Sequence, residues 1–271
     1  MKNNFGTCHI CGKYAKLTSE HLPPKSTGNN KLIRCYLYDQ IFSPDHLPGK
    51  RKLLDFKTHR IQGGFRMNTL CESCNKFTGS NYVPAYSNFS NRVFNAMNNM
   101  STAPQLGDTL HFQAKIIPLN FFKQALSIFC SVLDPATVTL YGFKDFILTR
   151  DSSTLPEKPF SLHMYLVPTN GASKNLPATG MVSPKSGKQM LFSEFASPPF
   201  GFILNLTPQD ACISFPNLLE FVNFKFNESA TLEFNLPLLN PREMPLSFDG
   251  WKDKLVFSPS GVVPVASPNT A

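Results

Sequence analysis

In the stretch PLNFFKQALSIFCSVLD, the residues Phe122, Leu126, Phe129, Cys130 and Leu133 recur at spacings of three and four, the stripe of an amphipathic helix packed on a core. A period of two takes over in FSLHMYLVP, where Leu162, Met164 and Leu166 share a face. The same holds in TLEFNLPLL for Leu232, Phe234, Leu236 and Leu238. QMLFSEF, GFILNL and CISF add further short runs of strand character, and many of the 23 prolines fall between such runs. The second part of the chain is therefore expected to be a mostly β, α+β domain with at least one helix. Upstream the pattern is sparser. KLTSEH, Lys16 to His21, reads as a short strand that Pro23 and Pro24 stop by fixing φ and removing donors. GGFRMNTLC reads as a second strand, and NKFTGSNYV, from Asn75, as the start of a helix. The polar, punctuated stretch NAMNNMSTAPQLG is the best linker in the chain. The reading is thus α+β overall: a first domain over 1–95, a linker over 96–107, a second domain over 108–258 and a flexible tail over 259–271.

Composition supports a globular protein. The chain has 271 residues, 42% of them hydrophobic, with 25 Phe, which is enough for a sizeable core. The apolar runs Phe200 to Leu206 and Leu218 to Phe226 are far shorter than the roughly 20 residues of a membrane span. The start, MKNNFGTCHICGKY, lacks the apolar stretch of a secretory signal, so no membrane association and a cytoplasmic location are expected. Charge adds a direction. The net +8 is unevenly spread: residues 1–95 hold 14 Lys and Arg against 5 Asp and Glu, whereas the remainder holds 12 against 13. A basic field confined to one third of the chain favours a polyanionic partner through phosphate neutralisation, with a solubilising surface as the bland alternative.

The same third carries two C-x-x-C pairs, Cys8 and Cys11 in CHICG and Cys71 and Cys74 in LCESCN. Two such turns brought together supply the four thiolates of a closed tetrahedral zinc site. A redox role fits poorly, because neither pair opens a helix after a buried strand. Cys35, Cys130 and Cys212 are left as small apolar residues. With little periodicity over 1–95, metal is expected to stand in for core there, and chelation to unfold that segment alone. A closed site has no open position for water. Any chemistry must come from what the zinc holds together.

That brings in TSEHLPPKS. Glu20 and His21 sit side by side at a strand end, and closing the loop between the cysteine pairs carries them toward Asn75, directly after the last cysteine. A Glu carboxylate and an Asn amide oxygen are hard ligands suited to Mg²⁺, with water and phosphate oxygens filling the other positions. An imidazole with an ordinary pKa of about 6.5 can take a proton from an attacking water. A lone Glu-His dipeptide would mean little; set between the cysteine pairs, before Pro-Pro and with Asn75 following, it is far less accidental.

The residues CHIC, SEHLPP and MNTLCESCN, in that order, resemble the HNH (His-Asn-His) endonucleases, also called ββα-metal or His-Me finger nucleases, in their zinc-stabilised four-cysteine branch. The resemblance covers about residues 5 to 95. It implies a zinc-stabilised ββα-metal, treble-clef-like nuclease domain in which His21 is the general base. Glu20 and Asn75 would ligate a catalytic Mg²⁺ or Mn²⁺, Cys8, Cys11, Cys71 and Cys74 would hold structural Zn²⁺, and Asn68 would pin the loop by hydrogen bonds. The implied activity is hydrolysis of phosphodiester bonds, DNA more than RNA, in a phage-defence or restriction effector gated by a regulatory ligand or protein partner at the C-terminal domain. The family often has Asp where this chain has Glu20. Where many members place a Lys or a second His after the final Asn, this chain has Thr78 and Gly79, so the implied metal would have only two protein ligands.

The long span from Pro24 to Gly64 is basic and is assigned to phosphate contact. The nucleic-acid-binding candidates are Lys25, Lys50, Arg51, Lys52, Arg60, Arg66 and Lys76, of which Arg66 and Lys76 are also candidates for supplying a missing charge at the metal. The competing reading is a non-catalytic zinc-ribbon nucleic-acid-binding module, which explains zinc and charge but gives Glu20 and His21 no role.

Overall fold

The structure, a computed structural model, describes residues 4–35, 59–182, 189–209, 213, 215–241, 255–258 and 261–264, with side chains to 180, over 189–209, and at 213 and 215–241. In the first third, β1 (Phe5–Thr7) leads into the CHICG turn, and β2 (Tyr14–His21) returns along it. Gly12 adopts φ +73 and donates its N–H to the Cys8 carbonyl, closing the turn at a backbone conformation that side chains disfavour. After the short pairing of β3 (Ile33–Cys35) with β4 (His59–Ile61), β5 (Arg66–Cys71) pairs antiparallel with β2, giving a three-stranded sheet in the order β1-β2-β5. Helix α1 (Glu72–Asn81) starts directly on the second cysteine pair, three residues before the expected start at Asn75.

Tyr82 then breaks the axis, and α2 (Val83–Asn98) follows with a proline in its first turn. Its buried Tyr86, Phe89, Val93 and Met97 recur at helical spacing. This helix corrects two expectations. It occupies the end of the first segment and the first positions of the expected linker, and it supplies the apolar face that metal was expected to replace.

Beyond it, β6 (Thr109–Ile116) precedes α3 (Pro118–Val132), and α4 (Pro135–Leu140) and α5 (Phe143–Leu148) follow. The strands β7 (Ser161–Leu166), β8 (Lys174–Val182), β9 (Gln189–Ser197) and β10 (Phe200–Asn205) form an antiparallel sheet in the order β7-β10-β9-β8. The strand β11 (Ala230–Pro237) pairs with β6. The α+β class is as expected, and among the described residues the second segment holds three α-helices, in keeping with the expected at least one. β12 (Leu255–Ser258) pairs with β13 (Gly261–Pro264), so the expected tail boundary at 258 cuts through a strand pair. No helix among the described residues is long and apolar enough to cross a membrane.

Helix α3 is where the pattern and the packing part most clearly. All 15 of its residues are buried, not one stripe. It lies between α2, the short 3₁₀ helix Leu218–Asn223 and strands of both segments, so every face meets protein. Lys123 is tolerated there because its Nζ donates to the Thr149 and Arg150 carbonyls, at 2.7 and 3.0 Å, just beyond the end of α5. Phe121 stacks on Tyr86 at 5.3 Å and meets Phe89 edge-on at 5.2 Å, while Phe89 lies 5.2 Å from Phe200 and 5.1 Å from Phe234. One hydrophobic core therefore runs from Cys8 to Leu238. The segments on either side of 96–107 share that core, which corrects the expectation that the first would stand or fall alone.

His163, buried on β7, has a pH consequence. The Phe215 carbonyl can only accept, so His163 Nδ1 donates to it at 2.8 Å, and Nε2 accepts from Ser161 at the same distance. Burial holds this imidazole below its ordinary range. As pH falls through about 6.5 the unfolded chain takes up a proton that the fold resists, so this contribution to stability is full above that pH and is lost below it. Between pH 7 and pH 5, the urea midpoint of the wild type should drop more than that of His163→Gln; equal drops would refute the assignment.

Candidate functional site

The β2–β5 ladder positions the site. Leu17 faces Cys71 and Thr18 faces Leu70, then the register shifts so that Ser19 faces Asn68, Glu20 faces Met67 and His21 faces Arg66. Thr69 is the extra residue of this bulge. Its carbonyl accepts the His9 N–H, and its hydroxyl turns to Glu20 Oε2 at 3.5 Å. The strand ends at His21, and Leu22, Pro23 and Pro24 turn inward and are buried.

The four cysteines of the two turns meet. Their Sγ atoms all lie within 4.8 Å of one another, with Cys11 and Cys71 3.8 Å apart. A tetrahedral ion with bonds of about 2.3 Å to sulfur sets adjacent sulfurs about 3.8 Å apart. The cluster can therefore hold a metal ion and is compatible with structural zinc. The Cys71 N–H donates to Cys8 Sγ at 3.3 Å, and Cys74 hydrogen bonding with backbone donors pulls the Cys8 thiol down to about 4. At least one thiolate is thus favoured by the protein alone.

Beside this cluster opens a cleft of about 560 Å³, lined among others by Glu20, His21, Lys25, Asn75 and Gln124. His21 is half-buried, and its Nε2 lies 3.1 Å from the Gly63 carbonyl. A carbonyl only accepts, so Nε2 carries the proton and Nδ1 is left as the basic nitrogen of the neutral ring. Asn75 donates Nδ2 to Thr18 Oγ1 at 2.9 Å, which fixes the amide and leaves Oδ1 with no partner among the described residues. Glu20 is only 6% exposed. Its Oε2 accepts from Ser131 of α3 at 2.6 Å as well as from Thr69, and no cation pairs with it among the described residues. Burial pushes this carboxyl up to about 7, against the downward pull of the two hydroxyls.

No family model, curated protein or solved structure matches the chain at significance. The reading of the site therefore rests on its own geometry.

Of the residues singled out from the sequence, His21, Glu20, Asn75 and Lys25 share the cleft, and the four cysteines share the adjoining cluster. Asn68 is exposed on β5, and its side chain makes no hydrogen bond among the described residues. The loop-pinning role expected of it belongs to Asn29. That side chain donates to the Pro23 and Phe65 carbonyls at 2.7 and 3.0 Å and accepts the Phe65 N–H at 2.8 Å. Gly64 makes this approach possible, since a Cβ there would sit 2.3 Å from the Asn29 carbonyl oxygen. Arg66 is exposed and donates to the Gln62 carbonyl, while Lys76 pairs with Glu72 at 2.6 Å on the outer face of α1. Arg60 is exposed on β4, away from the cleft lining. Lys50, Arg51 and Lys52 lie outside the described residues, as does Cys212. Cys130 is buried as expected, and Cys35 half-buried.

The residues that pattern reading missed are Thr18, Thr69, Asn29, Ser131 and Gln124. Asn29, in the turn-rich STGNN, is the one with a local signal.

Proposed function

We propose that this protein is a metal-dependent endonuclease of the HNH, or ββα-metal, type, acting on DNA more than on RNA, with structural zinc in the four-cysteine cluster. The observation that carries the reading is the pairing of donors in the cleft. A buried carboxyl held by two hydroxyls and without a cation partner among the described residues shares the cleft with the Asn75 amide oxygen and the His21 imidazole. Glu20 and Asn75 would hold Mg²⁺ or Mn²⁺, which supplies positive charge to neutralise a phosphate. Ser131 and Thr69 orient the Glu20 carboxylate, and Thr18 orients Asn75. His21 Nδ1 takes the proton of an attacking water as its oxygen bonds to phosphorus, and the bond from phosphorus to the departing sugar oxygen breaks. Gly63 fixes the ring for that transfer, and Lys25 adds charge at the cleft.

The burial of Glu20 also favours a second reading, the non-catalytic zinc-ribbon module that binds nucleic acid, because a carboxyl held by two hydroxyls is how a purely structural group would sit. Incubation of the purified protein with plasmid DNA and with RNA separates the two. Cleavage is expected with Mg²⁺ or Mn²⁺, abolished by EDTA and restored by excess of the divalent ion. Binding without cleavage under either metal would leave the binding module. Gating by a ligand of the C-terminal segment is not needed to explain that segment, since α3 already reaches the site through Ser131.

A further inference from the structure

Helix α3 carries one polar group without a protein partner that it cannot satisfy itself. Asn120 exchanges hydrogen bonds with Asn227 and donates to the Asn81 carbonyl, Lys123 donates to two carbonyls, and Ser131 donates to Glu20. Ser127 also lacks a partner, but a helical serine can turn to the carbonyl one turn back. Gln124 has no such recourse. It is 2% exposed, its Oε1 is buried without a hydrogen bond, and it forms part of the lining of the cleft that holds Glu20, His21 and Asn75. An unsatisfied buried amide costs about 1–3 kcal/mol. A Leu or Met at this position of a fully buried helix would avoid that cost.

We propose that Gln124 is a substrate-binding residue, its carboxamide hydrogen-bonding a phosphodiester-linked nucleotide strand seated in the cleft. The inference rests on the nucleic-acid reading of the same cleft and extends it to a residue far outside the segment 5–95 that carries the motif. Lys25 and Ser26 belong to the same cleft lining as Gln124. The orphan Oε1 accepts, so its partner on the strand is a base amino group, while the Lys25 ammonium and the Ser26 hydroxyl are donors suited to phosphate oxygens. Residues after 107 would then form part of the substrate site itself, with Ser131 setting the carboxylate and Gln124 meeting the strand.

The test is Gln124→Met, with Gln124→Leu as a second variant should the first not fold. Two quantities are read: the affinity for a fluorescein-labelled DNA duplex without divalent ions, and the melting temperature. The expected result is binding weakened about tenfold, at a melting temperature equal to or above that of the wild type. A purely structural amide would not give that combination. Unchanged affinity overturns the inference, as does a melting temperature several degrees lower, which would show that the amide serves the fold. Wild-type protein that binds DNA but never cuts it defeats the nuclease reading alone, and the affinity ratio still decides Gln124. Wild-type protein that does not bind DNA overturns the inference.

Discussion

Replacing His21 by Ala is expected to lower the rate of phosphodiester cleavage by about a hundredfold to ten-thousandfold, with DNA affinity, bound zinc and melting temperature close to wild type. The asymmetry follows from the side chain's surroundings. Its one side-chain hydrogen bond among the described residues goes to the Gly63 carbonyl, and the ring is half-buried, so water can take its place. Losing one such bond costs about 1 kcal/mol of stability. In the proposed mechanism the imidazole is the proton acceptor for the attacking water, with Nε2 held by the Gly63 carbonyl and Nδ1 left as the free ring nitrogen. Glu20, in the same cleft lining, is tied through Oε2 to Ser131 and Thr69. Wild-type cleavage by the variant would end the assignment of His21 as base. A large fall in melting temperature would show that the imidazole serves the loop instead.

How far the site could be read from the sequence depended on the range of the interactions that build it. The two strands, the cysteine turns and the Glu-His pair are local patterns. The structure has β2 ending at His21, β5 ending at Cys71, and four sulfurs within 4.8 Å of one another. Helix α2 was missed because its stripe of Tyr86, Phe89, Val93 and Met97 is interleaved with Asn and Ser, which read as a polar connection. In α3 the apolar period was visible, but its polar positions looked like a solvent face. Ser131 and Gln124 became parts of the site only because tertiary packing covers that face. The partner of Ser131 lies more than a hundred residues away: it reaches Glu20 across 111 positions. No period or spacing encodes such a contact. Asn68 failed for a different reason, since the bulge at Thr69 sets the facing of the residues before it, and Asn68 is left at the surface.

If the four-cysteine cluster holds structural zinc as proposed, removing that metal is expected to unfold the described core in one cooperative transition, on both sides of residue 100. The cluster is joined to everything around it. Cys8, Ile10, Leu70, Cys71 and Cys74 belong to the same buried core as Phe121 and Phe129 of α3 and Phe200 and Phe202 of β10. His9, inside the first cysteine turn, bonds through Nδ1 to the Cys130 carbonyl near the end of α3 at 3.0 Å, and Tyr82 donates to the Ile147 carbonyl at the end of α5 at 2.5 Å. A structural zinc contributes roughly 10–16 kcal/mol of apparent binding energy in small zinc domains. The net stability of a folded domain is about 5–15 kcal/mol, so the loss is comparable to the whole reserve. Unfolding β1, β2 and β5 would also strip cover from α3, all of whose residues are buried in the folded chain. Hydrogen exchange during chelation is the decisive measurement. Amides of β2 and β5 should lose protection together with those of α3 and β10, and Cys74→Ser should reproduce the effect without chelator. If α3 and β10 kept their protection while β2 and β5 exchanged freely, the continuity of the core across 96–107 would not be a unit of stability, and the chain would fold as two domains joined by that linker.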